Sequence, residues 1–188
     1  MIKREEALKF LEEQIENKNI IKHMIACEVI MRALAKRFEP EKEEVWAMAG
    51  LLHDGDYRDD VPPSQQGIKV SQMLEERGFE IPEEMKQTMA AHNRENTGLE
   101  PETKMDWSLF CGDSLTGLIV ATALVHPDRK LGSITIESVM KKFKDKAFAR
   151  GTRREEIALC EEKLGIPLDE FMAIGLEAMR ETAEELGL

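Results

Sequence analysis

Apolar residues recur at helical spacing through almost the whole chain, as in Leu8, Leu11 and Ile15, and no run alternates between apolar and polar as a half-buried strand would. The pattern predicts an all-α, single-domain helical bundle. A β-branched cluster at Ile134, Thr135 and Ile136 is too brief to change the class and reads as a short extended piece.

Helix punctuation divides the chain further. Asn19 is placed to cap a helix running to about Phe38, and Pro40 ends it before another begins near Glu41 and stops around Gly55. Pro62-Pro63-Ser64 precedes a helix ending at Gly78, and Pro82 opens the next. After Gly98 and Pro101 a long helix is expected to about Val125, where Pro127 stops it. Thr152 and Glu155 have the spacing of a capping box, and Gly165 with Pro167 separates the last two helices. The core is expected at roughly 20–126, with C-terminal helices from 133–188 packed on it. No linker, repeat or low-complexity segment interrupts residues 1–188.

Bulk composition narrows the function. With 188 residues, 42% hydrophobic and 34% charged, the chain can bury a core without disulfides. Cys27, Cys111 and Cys160 are widely separated, form no Cys-x-x-Cys pair, and are expected as buried, reduced thiols. The charged start Met1-Ile2-Lys3-Arg4-Glu5-Glu6 lacks a signal-peptide core, so a cytoplasmic location is expected. The stretch Leu115 to Val125 is short and interrupted by Thr116, Gly117 and Thr122, so no membrane span is expected. A formal net charge of −11 disfavours a nucleic-acid duplex as partner. An apolar helix face leaves a homodimer possible in principle, with no residue pointing to it.

Candidate chemistry is concentrated at Leu51-Leu52-His53-Asp54-Gly55-Asp56-Tyr57, where an apolar helix gives way to ligand-type side chains. Imidazole nitrogen and carboxylate oxygen suit divalent transition metals. Two more groups sit in apolar helical settings far along the chain. His23 lies in the first turn of a helix rich in Met, Ile, Val and Ala, and Asp113 lies within Leu109 to Ile119, where a carboxylate is costly to bury without a cation. Each also has a plain structural reading, His23 as a satisfied core histidine and Asp113 as a carboxylate bonded to a helix end or to Arg or Lys. Asp56 either holds a nucleophilic water or caps turn backbone. His92, near the end of its helix, is a substrate contact, a proton donor or a ligand to a second ion. His126 beside Pro127 reads as a helix-end residue, and the eleven methionines as packing. No GxGxxG, P-loop or His-Glu-x-x-His is present, and Ser114 has no adjacent histidine.

His23, then His53-Asp54, then Asp113, resembles the H…HD…D pattern of the HD-domain metal-dependent phosphohydrolases. Leu51-Leu52-His53-Asp54 with Asp56-Tyr57, Ala91-His92-Asn93, Gly112-Asp113-Ser114-Leu115-Thr116-Gly117-Leu118 and Lys142-Phe143-Lys144-Asp145-Lys146 are similar to an uncharacterised HDIG-type subgroup. The resemblance covers about Ile20 to Gly165. It implies a helical bundle around one divalent ion (Mn, Fe, Zn, Ni, Co or Mg), with His23, His53, Asp54 and Asp113 as metal ligands and phosphate esters as substrates. In two-metal members a further histidine follows shortly after the HD pair. Here Ser64-Gln65-Gln66-Gly67 occupies that stretch, so Gln66 points to one metal.

The charge distribution has one reversal. Lys141 to Arg154 holds seven basic residues, with Asp145 the single acid, before a strongly acidic C-terminal segment. This is either a positive surface for a small anionic phosphate-containing substrate or a solvated helix face. Lys144, Lys146 and Arg153 are the expected substrate contacts, with Phe143 and Phe148 in the core. The resulting expectation is a phosphohydrolase acting on a phosphomonoester, nucleotide or cyclic nucleotide. The alternatives are a non-catalytic nucleotide- or metabolite-binding module and a di-iron oxygenase.

Overall fold

The computed structural model describes residues 2–188, and they form helices and connecting turns without a β-strand. The all-α expectation holds. Helices α1 (Arg4–Gln14), α2 (Lys18–Phe38) and α3 (Glu43–Leu52) come first, followed by α4 (Lys69–Glu76), α5 (Glu83–Ala91) and the short α6 (Arg94–Thr97). The long α7 (Lys104–Val125) precedes α8 (Ile136–Lys144), α9 (Arg154–Leu159), α10 (Leu168–Glu181) and α11 (Ala183–Leu186).

The bundle is organised around α2, which packs on α3, α7 and α10. Its apolar positions Met24, Ile30, Met31 and Leu34 are buried and meet Trp46, Leu51, Leu115 and Phe171 in one continuous core. Two glycines permit close helix approach. A Cβ on Gly50 would lie 2.7 Å from the Cys27 carbonyl oxygen, and one on Gly175 would lie 2.7 Å from a Leu115 methyl. Because the Gly50 obstacle is backbone, α2 and α3 meet there closely enough that no side chain fits between them. Buried Glu28 on α2 accepts the Arg4 guanidinium at 2.8 and 3.0 Å, which ties α1 to the same helix.

By length and composition α7 passes for a membrane span, because its apolar character extends upstream of Leu115 to Met105. In the fold 61% of that apolar window is buried, against α2, α9 and α10.

Local corrections follow from capping. Asn17, not Asn19, caps α2, its side chain accepting from the Asn19 amide. Pro40 starts a single 3₁₀ turn and α3 follows at Glu43, ending at Leu52 ahead of Gly55. The Thr152–Glu155 capping box does not form: α9 begins at Arg154 without a side-chain cap. Boxes form instead at Thr103–Asp106 and Thr135–Ser138. The expected extended piece is present at Ile134 and Thr135, which lead into α8.

A Gly50→Ala substitution forces α2 and α3 apart at the centre of the bundle. We expect a loss of about 1–3 kcal/mol in urea unfolding, whereas Gly132→Ala, where a Cβ meets nothing within 4 Å, leaves the midpoint unchanged.

Candidate metal centre

The close contact of α2 with α3 delivers two histidines to one place. His23 comes from the second turn of α2, and His53 is the residue that ends α3. Their Nε2 atoms are 3.2 Å apart. His92 ends α5 in the same way, and its ring sits edge-on to His53 at 4.7 Å between centroids. Asp54 follows His53 directly, and Asp113 projects from the middle of α7.

All three imidazoles are oriented by a bond at Nδ1. His53 Nδ1 faces the Gly50 carbonyl at 2.8 Å, and His92 Nδ1 faces the Met89 carbonyl. A carbonyl only accepts, so each Nδ1 carries the proton. His23 Nδ1 is 2.8 Å from the Thr116 hydroxyl, which donates its own hydrogen to the Asp113 carbonyl and therefore accepts here. Each ring thus turns its Nε2 inward, the arrangement that second-sphere bonds impose on metal-binding histidines. His53 and His92 both use the carbonyl three residues back, one of those a helix end leaves without an amide partner. Two helix C-termini meeting here also favour a cation.

The carboxylates complete the cluster. Asp113 Oδ1 is 3.1 Å from His23 Nε2. Asp54 spans the other side, with Oδ1 3.3 Å from His92 Nε2 and Oδ2 3.6 Å from His53 Nε2 and 3.9 Å from His23 Nε2. Burial alone would raise both carboxyls. For Asp54 the electrostatic pull of the neighbouring His53, the hydrogen bond and charge of His92, and the pull of His23 override it, and for Asp113 the bond from His23 does, so both lie below the usual carboxylate range. His53 is enclosed and drops to about 4, chiefly by burial against a smaller pull from Asp54. Burial also opposes charge on His23 and His92, but Cys27 and Asp113 outweigh it for His23 and Asp54 for His92, and both rise. Both shifts favour a proton on Nε2, where a cation would otherwise stand. A borderline divalent ion therefore fits the donors present. Two donor groups occur, His23–Cys27–His53–Asp113 and His53–Asp54–His92. They share His53, whose single inward lone pair serves one ion at a time.

The cluster lies at the wall of a cleft of about 450 Å³, with His23, Asp54, His92 and Asp113 on its lining and Arg150 and Arg153 among the other lining residues. Of the expected basic contacts Arg153 lines it, whereas Lys144 and Lys146 do not and are exposed; Arg150 lines it as well. Asp56 does not line it either. Its carboxylate is fully buried and accepts the Gly67 amide at 2.9 Å and the Val70 amide at 2.8 Å, fixing the entry to α4. That is the backbone-capping role. Burial raises Asp56, and these two amides pull it back. Gly67 has φ +85°, and a Cβ there would lie 2.3 Å from the Met89 oxygen and 3.2 Å from the His92 ring, so the turn held by Asp56 presses on the base of His92. Gln66 lines the cleft, its amide donating to the Val61 carbonyl at 3.4 Å.

A single guanidinium organises the basic segment. Arg154 donates to the carbonyls of Phe143, Lys142, Asp145 and Phe148, and more weakly to Ala149 and Thr152. Ala149 takes φ +44° to complete the turn. Arg153 donates to Glu156 at 2.9 Å, and Glu156 accepts the Ser114 hydroxyl at 2.7 Å next to Asp113. Phe143 and Phe148 pack on the core as expected. His126 ends α7, and the three thiols are buried.

From the sequence Thr116 and Glu156 were given no role in the site, and Arg150 was only one of the seven basic residues of Lys141 to Arg154. Thr116 had a signal, lying three residues after Asp113 on the same helix face. Comparison of the chain with protein-family models, with curated proteins and with solved structures gave no match.

A metal bound at His23 would displace the proton that the raised imidazole favours at Nε2. We expect binding to release protons at neutral pH, seen as a calorimetric enthalpy that depends on the buffer, and affinity to rise with pH as that imidazole loses its charge. His53, already neutral, adds nothing in that range. A buffer-independent enthalpy at pH 6 to 7 would contradict this assignment.

Proposed function

We propose that the protein is a metal-dependent phosphohydrolase of the HD-domain type, acting on a small phosphate ester. The observation that carries the reading is the convergence of three oriented imidazole Nε2 atoms and two carboxylates on a cleft that also holds two arginines. His23, His53, Asp54 and Asp113 are the residues that hold the ion. When bound, it supplies Lewis acidity toward a phosphoryl oxygen and acidifies water at neutral pH.

The chain's own residues account for the remaining requirements. Asp54 has one oxygen toward the ligand histidines and the other toward His92, so it both anchors the site and orients its proton carrier. His92 lines the cleft and holds a proton above the ordinary imidazole range, which suits it to protonate a leaving oxygen. Arg153, braced by Glu156, and Arg150, paired with no carboxylate among the described residues, offer planar donors to phosphate oxygens. The reversal of charge at Lys141 to Arg154 fits this role, with arginine instead of lysine facing the anion.

Phosphate release from a panel of phosphomonoesters, nucleotides and cyclic nucleotides is the test, using protein loaded in turn with Mn, Zn, Co, Ni, Fe and Mg. Asp54→Ala is expected to lower turnover roughly 10³-fold, about 4 kcal/mol of barrier. Arg153→Ala is expected to raise KM about tenfold, ~1.4 kcal/mol, with a smaller change in kcat. Nucleotide binding without phosphate release under every metal would replace the enzyme reading with that of a binding module.

A further inference from the structure

Cys27 stands one helical turn after His23 on α2, on the buried side of the cluster. It is 1% exposed, and its Sγ lies 3.9 Å from His23 Nε2, its one polar contact among the described residues. One donor atom each from His23, Cys27, His53 and Asp113 all fall within 4.8 Å of one another. Around a single ion, bonds of 2.0 to 2.3 Å place tetrahedral donors about 3.3 to 3.8 Å apart, so side-chain adjustments on the order of an ångström close the group. Asp54 lies outside this tight foursome, with Oδ1 toward His92 and Oδ2 3.6 Å from His53 Nε2 on the cleft side. Cys111 and Cys160 are equally buried, yet neither joins a donor group among the described residues. The backbone sets this position for Cys27. Its carbonyl is the atom that excludes a side chain at Gly50, and Gly50 in turn supplies the carbonyl that orients His53.

We propose that Cys27 is a metal ligand, its thiolate binding the ion from the buried side together with His23, His53 and Asp113. The inference rests on the metal reading above and specifies the metal. A sulfur donor selects a thiophilic divalent ion, Zn²⁺, Co²⁺ or Fe²⁺, over Mg²⁺. Coordination replaces the S–H bond with a sulfur–metal bond, and the proton passes to solvent. Asp54 then holds the ion from the cleft side as a further donor, its Oδ2 3.6 Å from His53 Nε2 and its Oδ1 turned to His92.

Titration of the metal-free full-length chain with Co²⁺ tests this without reference to activity. The wild type is expected to develop visible ligand-field absorption together with an intense near-ultraviolet sulfur-to-cobalt band. Cys27→Ser should keep the visible band and lose the near-ultraviolet one. If Cys27→Ser does not fold, the double variant Cys111→Ser/Cys160→Ser assigns the sulfur by elimination, and it is expected to keep both bands. Visible absorption without the near-ultraviolet band in wild type overturns Cys27 ligation and leaves the metal reading standing. Loss of the near-ultraviolet band in the double variant also overturns it. Absence of both bands in wild type overturns the metal reading as well.

Discussion

Two carboxylates held among imidazoles, with water reaching them from one side, need positive charge between them, and much of the surrounding architecture serves that need. Asp54 and Asp113 would each be neutralised by burial if they stood alone. Three histidines with inward Nε2 atoms prevent that, two of them shifted toward the protonated form. A divalent ion would discharge the same electrostatic demand more completely, because it brings more charge and directed bonds. The hydrogen bonds at Nδ1 are what keep this exchange available, since each fixes a ring that could otherwise turn its lone pair away.

That arrangement depends on backbone more than on side chains. Gly50 and Met89 act through carbonyls at helix ends, and Gly67 acts by lacking a Cβ under the His92 ring. Asp56 belongs with them. It does not line the cleft, yet its bonds to two amides set the turn that backs His92. A positioning role of this kind is consistent with its complete burial, which a water-holding base at the cleft would not show.

The fold class was legible because helical periodicity persists along nearly the whole chain, and His23, His53, Asp54 and Asp113 stood out as polar groups in apolar surroundings. What stayed hidden was mostly backbone. The Thr152–Glu155 pattern looked like a helix cap, but the carbonyls there are gathered by Arg154, and only the path of the turn reveals that. Lys144 and Lys146 were indistinguishable from Arg150 and Arg153 by charge. Arg150 and Arg153 follow the left-handed turn at Ala149 and line the cleft, whereas Lys144 and Lys146 precede it and do not. Cys27 read as a small core residue because its relation to His23, one turn away on the same face, gains meaning only when α3 and α7 bring their own donors alongside.

The Arg154 turn has an evolutionary consequence. Its guanidinium grips the chain through main-chain oxygens, which every residue type possesses, so the intervening side chains are not committed to holding the loop's shape. Such a loop can exchange what it presents to the cleft without refolding. Positions between Lys144 and Arg153 are therefore free to change the cleft's lining, while the turn itself depends on the single arginine behind them.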